Sequence, residues 1–218
     1  FTKVAGRGLG SGKLSNPDGV SQLLQQIFST TTLEISVKCR LGQESVGEFE
    51  ELVAIFNDNP LLEIIIHPRT AKQLYKGELY YDEFAKYAER IKHPVCYNGD
   101  ILSVADIEKI QSLAPNVSSF MIGRGIFYNP FILSEIRQTP VSKEEKMNQL
   151  RAFHQSILER CKQKYSGDLS VLKRFEEMWE LHNEAFEDGR KIYKQVKKCH
   201  SVAQYESVML GAIGKIKD

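Results

Sequence analysis

Four short apolar runs, each parted from the next by an amphipathic stretch, dominate residues 1–139 and leave few ways for this part of the chain to fold. The runs are Leu33–Gly42, Leu61–His67, Pro94–Asp100 and Ser118–Gly125. Between them, Glu48–Phe56, Tyr81–Ile91 and Ser103–Leu113 carry apolar residues at helical spacing. An earlier helix opens at Asn16-Pro17, an N-cap followed by proline at the first helical position, and its apolar face is Val20, Leu23, Leu24 and Ile27. Strands alternating with helices in this way imply parallel βα units, in a barrel or a doubly wound sheet. Each run closes on a polar or glycine cluster: Lys38-Cys39-Arg40, His67-Pro68-Arg69, Asn98-Gly99-Asp100 and Gly123-Arg124-Gly125. Chemistry in parallel α/β folds gathers at the carboxyl ends of strands, so four such clusters in succession mark the functional end.

The strand pattern stops after Pro140. Ser142-x-x-Glu145 is a capping box that opens a helix with Met147, Leu150, Phe153, Ile157 and Cys161 along one side. Leu169–Ala185 and Arg190–His200 follow at helical spacing, and Ser201 can cap a last helix. The expected division is therefore an α/β domain over 1–139 and a small all-α helical bundle over 140–218. Charge divides the same way: 14 basic against 16 acidic residues in the first part, 15 against 12 in the second. The basic excess lies at Lys173-Arg174 and from Arg190 to Lys198, with aromatics interleaved. Two readings fit these residues: a solvated helix face, which charge alone favours, and a nucleic-acid footprint. A net charge of +1 excludes recruitment of nucleic acid or membrane by the field of the whole chain, and no apolar run is long enough to cross a bilayer. The four cysteines are widely spaced with no CxxC pair, which argues for reduced thiols and against a disulfide framework or a zinc site.

Read as chemistry, the first strand places Ser36, Lys38 and Arg40 on one face and Ile35, Val37 and Cys39 on the other. A lysine turned into the interior of a barrel needs an anionic or electron-rich partner. A flavin ring, whose N1–C2=O edge becomes negative on reduction, meets that need, as does a core carboxylate. Cys39 is expected in the helix-facing core. His67 ends its strand beside Arg69 and Thr70, in a loop suited to face a ligand, and nothing at metal-ligand spacing accompanies it. Asn98-Gly99-Asp100 and Gly123-Arg124-Gly125 suit a phosphate, because glycine lets backbone N–H groups approach closely and Arg124 adds a charge-assisted contact. The opening Gly6–Gly12 is neither a Walker loop nor a dinucleotide fingerprint, and reads as a basic loop.

Taken together, KVAGRGLGSGKL, SVKCRLG, HPRT with Tyr75 and Gly77 behind it, VCYNGDI and MIGRGIFYNPF resemble the tRNA-dihydrouridine synthases in order and spacing. The helical remainder resembles that family's C-terminal domain in character. The resemblance implies the second half of a TIM-type (β/α)8 barrel carrying FMN, followed by a helical domain that helps hold tRNA. It implies reduction of the C5=C6 bond of particular tRNA uridines, with NADPH as the electron donor. By motif, Lys38 and His67 contact the isoalloxazine; Asn98, Gly99, Asp100, Gly123 and Arg124 hold the ribityl phosphate; Arg40 and Arg69 face the substrate uridine or RNA backbone. The family's proton-donating cysteine lies upstream of the segment that begins here at Phe1. The expectation is thus a fragment without its own catalytic residue, inactive alone, cytoplasmic, with no metal and no membrane partner. Two alternatives stay open: a non-catalytic RNA-binding remnant of such an enzyme, and another FMN barrel oxidoreductase acting on a small molecule, like dihydroorotate dehydrogenase.

Overall fold

A computed structural model of the chain describes residues 9–217. They form two compact units, one of residues 9–101 with 105–123, the other of 102–104 with 124–217. By packing, then, the division falls at Gly123/Arg124, ahead of the expected 139/140 boundary. Residues 124–139 are short helical turns that pack with the helices following them.

The first unit contains α1 (Pro17–Thr30), β1 (Ser36–Arg40), α2 (Phe49–Asn57), β2 (Glu63–His67), α3 (Tyr81–Arg90), β3 (Val95–Tyr97), most of α4 (Val104–Leu113) and β4 (Ser119–Phe120). The strands make one parallel sheet in the order β1-β2-β3-β4. α1 starts as its sequence dictates: Asn16 Oδ1 accepts from the Gly19 amide at 3.0 Å, and Pro17 occupies the first helical position. The register puts Val37, Cys39, Ile64, Ile66, Val95, Tyr97 and Phe120 on one face. Leu52 and Phe56 of α2, Phe84 and Ala88 of α3 and Ile110 of α4 are among the buried residues that complete this core. Edge-on packing of Phe84 on Tyr97, with centroids 5.0 Å apart, ties α3 to β3. The other face carries Ser36, Lys38, Arg40, Glu63, Ile65, His67, Cys96 and Ser119, a polar set on a sheet with no second layer of strands among the described residues. β1 and β4 each keep one edge unpaired among the described residues.

The strands are shorter than the apolar runs suggest, because their last residues leave the ladder to build loops. Asn98 N–H still donates to Ile66 and Met121 N–H to Tyr97, so Asn98 and Met121 mark the carboxyl ends of β3 and β4. After β1 the chain turns at Gly42, where a Cβ would lie 2.0 Å from the Ser45 carbonyl oxygen. Glu48 then gathers the amides of Gln43, Glu44 and Ser45 at 2.7–3.0 Å, which pulls its carboxyl below the usual range against the effect of partial burial.

The second unit is helical: α5 (Gly125–Tyr128), α6 (Ile132–Ile136), α7 (Lys143–Lys164), α8 (Asp168–His182), α9 (Gly189–Val196) and α10 (Val202–Ile213). The capping box is present, with Ser142 Oγ accepting from Glu145 N–H and the Glu145 carboxylate accepting from Ser142 N–H. Ser201 caps α10 through the Gln204 amide. The core contains Leu150, Leu158, Phe175, Trp179, Phe186, Ile192, Tyr205 and Met209. On α7 the buried stripe is Leu150, His154 and Leu158, one residue on from the expected Phe153; Phe153 itself is 41% exposed. A histidine takes the place of an apolar residue here because its ring is fully hydrogen-bonded inside the core.

Candidate functional site

The polar face of the sheet and the loops at its carboxyl end bring most of the expected residues together. Lys38 and His67 lie on the same face of neighbouring strands, with Arg40 directly opposite His67 in the register. Partial burial, with Arg40 next along the face, holds the Lys38 ammonium below its ordinary range. His67 is buried, and its imidazole is depressed to about 3 by burial and by the cations Arg40, Lys38 and Arg69 around it. It is therefore neutral. Arg69 Nη1, which can only donate, lies 3.3 Å from His67 Nε2, so Nε2 accepts and the ring proton sits on Nδ1.

Arg69, expected to face the substrate uridine or RNA backbone, is turned into the protein. Its side chain is buried, and the guanidinium donates to the Gly77 carbonyl at 2.9 and 3.2 Å and to Asp100 Oδ2 at 2.5 Å. A guanidinium with these partners organises the loop after β2 and is not presented to an RNA backbone. Arg40 is also buried: Nη1 donates to the Thr70 carbonyl at 2.7 Å and the group lies 5.4 Å from the centre of the Tyr75 ring. Tyr75, half exposed, lies over His67 as well, with ring centroids 6.2 Å apart. Tyr75 and Asp100 both belong to the expected motifs, but their contacts with Arg40, His67 and Arg69 could not be read from the motifs, since 31 residues separate Asp100 from Arg69.

The expected phosphate residues divide by what their atoms do. The Asn98 carboxamide donates to the Met121 carbonyl at 2.7 Å and so joins the ends of β3 and β4. Gly99 is buried, and a Cβ there would meet Leu79, Tyr97 and Pro68 at 3.0–3.2 Å. A side chain there would have to push these neighbours back by a few tenths of an ångström, so packing inside the protein favours glycine whatever approaches from outside. Asp100 holds a left-handed φ of 37°, which a short polar residue tolerates, and its carboxylate is balanced by Arg69. Gly123 has open space where a side chain would stand. Arg124 begins the second unit and stands just before α5, with no side-chain bond to the helix's free amides.

Beside β1, a groove of about 530 Å³ runs along the strand, walled by the Gly10–Leu14 turn, by Val20, Leu24 and Ile27 of α1, and by Val37, Lys38 and Cys39. Of the glycine-rich opening, Gly6, Arg7 and Gly8 lie outside the described residues. Gly10–Lys13 forms a 3-10 turn. Among the described residues no group of histidine, cysteine and carboxylate side chains could hold a metal ion, and no helix is long and apolar enough to cross a membrane. All four cysteines are free thiols. Burial pushes Cys39 up to about 12 and Cys96 up to about 11, so neither is a thiolate at neutral pH.

The model of the dihydrouridine synthase family matches residues 1–210. The chain belongs to that family. It is 28% identical over 152 residues to tRNA-dihydrouridine synthase B of Pasteurella multocida, covering 67% of this chain and 46% of that protein. A probable tRNA-dihydrouridine synthase of Helicobacter pylori is 34% identical over 137 residues, covering 62% of this chain and 41% of that one. A probable tRNA-dihydrouridine synthase of Staphylococcus aureus is 24% identical over 211 residues, or 94% and 62% of the two chains. The chain thus spans about half the length of its synthase relatives.

Three buried neutral histidines give this family member a defined acid response. Burial depresses His154 to about 3, with His182 adding to the effect, and depresses His182 to about 4, as it does His67. In the unfolded chain each returns to its ordinary value near 6.5, so below that pH the unfolded state binds more protons. Stability is complete above about pH 6.5 and falls as pH drops towards the folded values, by about 2 kcal/mol per histidine at pH 5. Urea unfolding at pH 7.5 and pH 5 is expected to show the larger loss in the helical unit, which holds two of the three. Equal midpoints at the two pH values would refute the neutral assignments.

Proposed function

We propose that this chain carries the flavin-holding and tRNA-facing part of an enzyme that reduces specific tRNA uridines to 5,6-dihydrouridine, with NADPH as electron donor. The observation that carries this reading is the placement of Lys38 and a neutral His67 on one face of a parallel sheet, a face without a second layer of strands among the described residues, near the strands' carboxyl ends, in a member of the dihydrouridine synthase family. The donor set fits FMN. Lys38 offers a cation, and His67 an N–H that carries no charge, to an isoalloxazine edge. Asn98, Gly99, Asp100, Gly123 and Arg124 would hold the ribityl phosphate through backbone N–H groups and the Arg124 guanidinium. Because Asp100 is paired with Arg69, no unbalanced carboxylate opposes a phosphate there. When bound, FMN supplies hydride chemistry, moving two electrons from NADPH to the C5=C6 bond of a uracil turned out of the RNA stack. Arg40 and Arg69 shape the rim by holding the loop after β2 and the tautomer of His67.

The proton for C5 comes from a cysteine outside this chain; Cys39 faces the helices and Cys96 is buried and protonated. The sheet becomes the second half of a TIM-type barrel when further strands pair with the open edges of β1 and β4, and the 218-residue chain alone is inactive. tRNA lies against the helical unit, where Arg190, Lys194 and Lys198 of the α9 segment face solvent with no ion pair among the described residues. The protein works in the cytoplasm. The test supplies FMN, NADPH and unmodified tRNA to this chain and to a form extended by a preceding half-barrel, and counts 5,6-dihydrouridine by mass spectrometry of the digested tRNA. Product is expected from the extended form only, and at least tenfold less from its Lys38→Ala variant. Salt-sensitive tRNA binding by both forms without product from either would favour an RNA-binding remnant instead.

A further inference from the structure

A line of hydrogen bonds crosses the core of the helical unit and ends on the turn after β4. Trp179 Nε1 lies 3.2 Å from the Tyr205 hydroxyl, which lies 2.8 Å from His154 Nδ1. His154 Nε2 lies 3.2 Å from His182 Nε2, and His182 Nδ1 lies 3.0 Å from the Phe127 carbonyl. None of the four side chains is more than 1% exposed. A carbonyl only accepts, so His182 carries its proton on Nδ1. With the ring neutral, its Nε2 accepts, and His154 must donate from Nε2. His154 Nδ1 then accepts from the Tyr205 O–H, whose oxygen accepts from the indole N–H. Each nitrogen is used once, the Tyr205 hydroxyl both accepts and donates, and with both rings neutral the direction has no second solution.

The far end of this line matters because α5 is too short to hold itself. It is a four-residue turn, and the residue that would close on the Phe127 carbonyl in a longer helix, Phe131, donates instead to Asn129 Oδ1 at 3.0 Å. His182 takes that acceptor in its place. We propose that His182 and His154 are positioning residues, whose one-way hydrogen-bond line fixes the Arg124–Tyr128 turn and so lets the helical core set where Arg124 stands. The link to cofactor binding rests on the reading of Arg124 as a phosphate ligand; the link to the turn does not.

Two measurements on the full chain test this separately. In ¹⁵N-histidine-labelled protein, long-range ¹H–¹⁵N correlations at pH 7 are expected to show His182 as the Nδ1–H form and His154 as the Nε2–H form. Any other assignment overturns the one-way line. Amide exchange then reads the turn: His182→Phe keeps ring volume but removes both the donor to Phe127 and the acceptor of His154 Nε2–H, and the Phe127 and Asn129 amides are expected to exchange roughly tenfold faster, the worth of one hydrogen bond, beyond any acceleration they share with the α7 and α8 amides. His182→Asn, whose side-chain amide can stand in for Nδ1–H, is expected to restore most of the protection. Uniform acceleration through the helical unit, or no difference between the two variants, would make the line a core feature only. FMN affinity of the extended protein is expected to fall in His182→Phe and to recover in His182→Asn. Turn protection that follows the variants while no form binds FMN would uphold the positioning and reject the phosphate reading.

Discussion

Replacing Arg69 with methionine is expected to destabilise the sheet unit by about 3 kcal/mol, the scale for breaking a buried ion pair from one side. Methionine fills much of the space of the arginine stem. It leaves the Asp100 carboxylate, the Gly77 carbonyl and His67 Nε2 without the donor they share. The loop between β2 and α3 then loses the group that joins it to the end of β3. Urea unfolding followed by circular dichroism measures the loss. Adding Asp100→Asn should recover part of it, because the carboxylate charge that Arg69 balances is then removed. A loss below about 0.5 kcal/mol, the range of ordinary surface substitutions, would show that Arg69 is not the organising cation of the site.

Trp179→Ala is expected to be the more damaging change, at about 4 kcal/mol. The indole is fully buried among Phe186, His182 and His154, and its N–H supplies the first donor of the line through Tyr205. Trp179→Phe removes the N–H and part of the volume and should cost less, so the pair separates packing from hydrogen bonding. Thermal unfolding is the measurement. A Trp179→Ala variant that melts with Leu210→Ala, a change at an exposed position on α10, would contradict this description of the core.

Local signals in this chain were legible wherever the physics is local. Asn16-Pro17, Ser142-x-x-Glu145 and Ser201 each start a helix at the residue their side chains dictate, because a cap is a contact across three positions. Strand alternation likewise put Lys38 and Arg40 on one face and Cys39 on the other. What the sequence could not show were contacts between distant residues. Arg69 reads as a cation facing substrate or RNA until the fold brings Gly77 and Asp100 to it. His154 reads as a polar residue beside an apolar stripe, and the stripe was assigned to Phe153, until Tyr205 and His182 arrive from other helices to satisfy both its ring nitrogens. Gly99 reads as a ligand-facing glycine, although Leu79, Tyr97 and Pro68 already crowd the space a side chain would take. Strand lengths were overestimated for a related reason: residues such as Asn98 and Gly99 continue the apolar run in sequence but leave the ladder to form the loops of the site.

The central claim is that the face bearing Lys38 and His67 belongs to an FMN site completed by a further half-barrel. Flavin content tests it most directly. The chain and its upstream-extended form would be purified in parallel, and FMN released by acid and quantified by fluorescence per mole of protein. The account predicts close to one FMN in the extended form, little in the chain alone, and a marked loss from the extended form on Lys38→Ala. A folded extended protein without flavin, even after incubation with FMN, would contradict it.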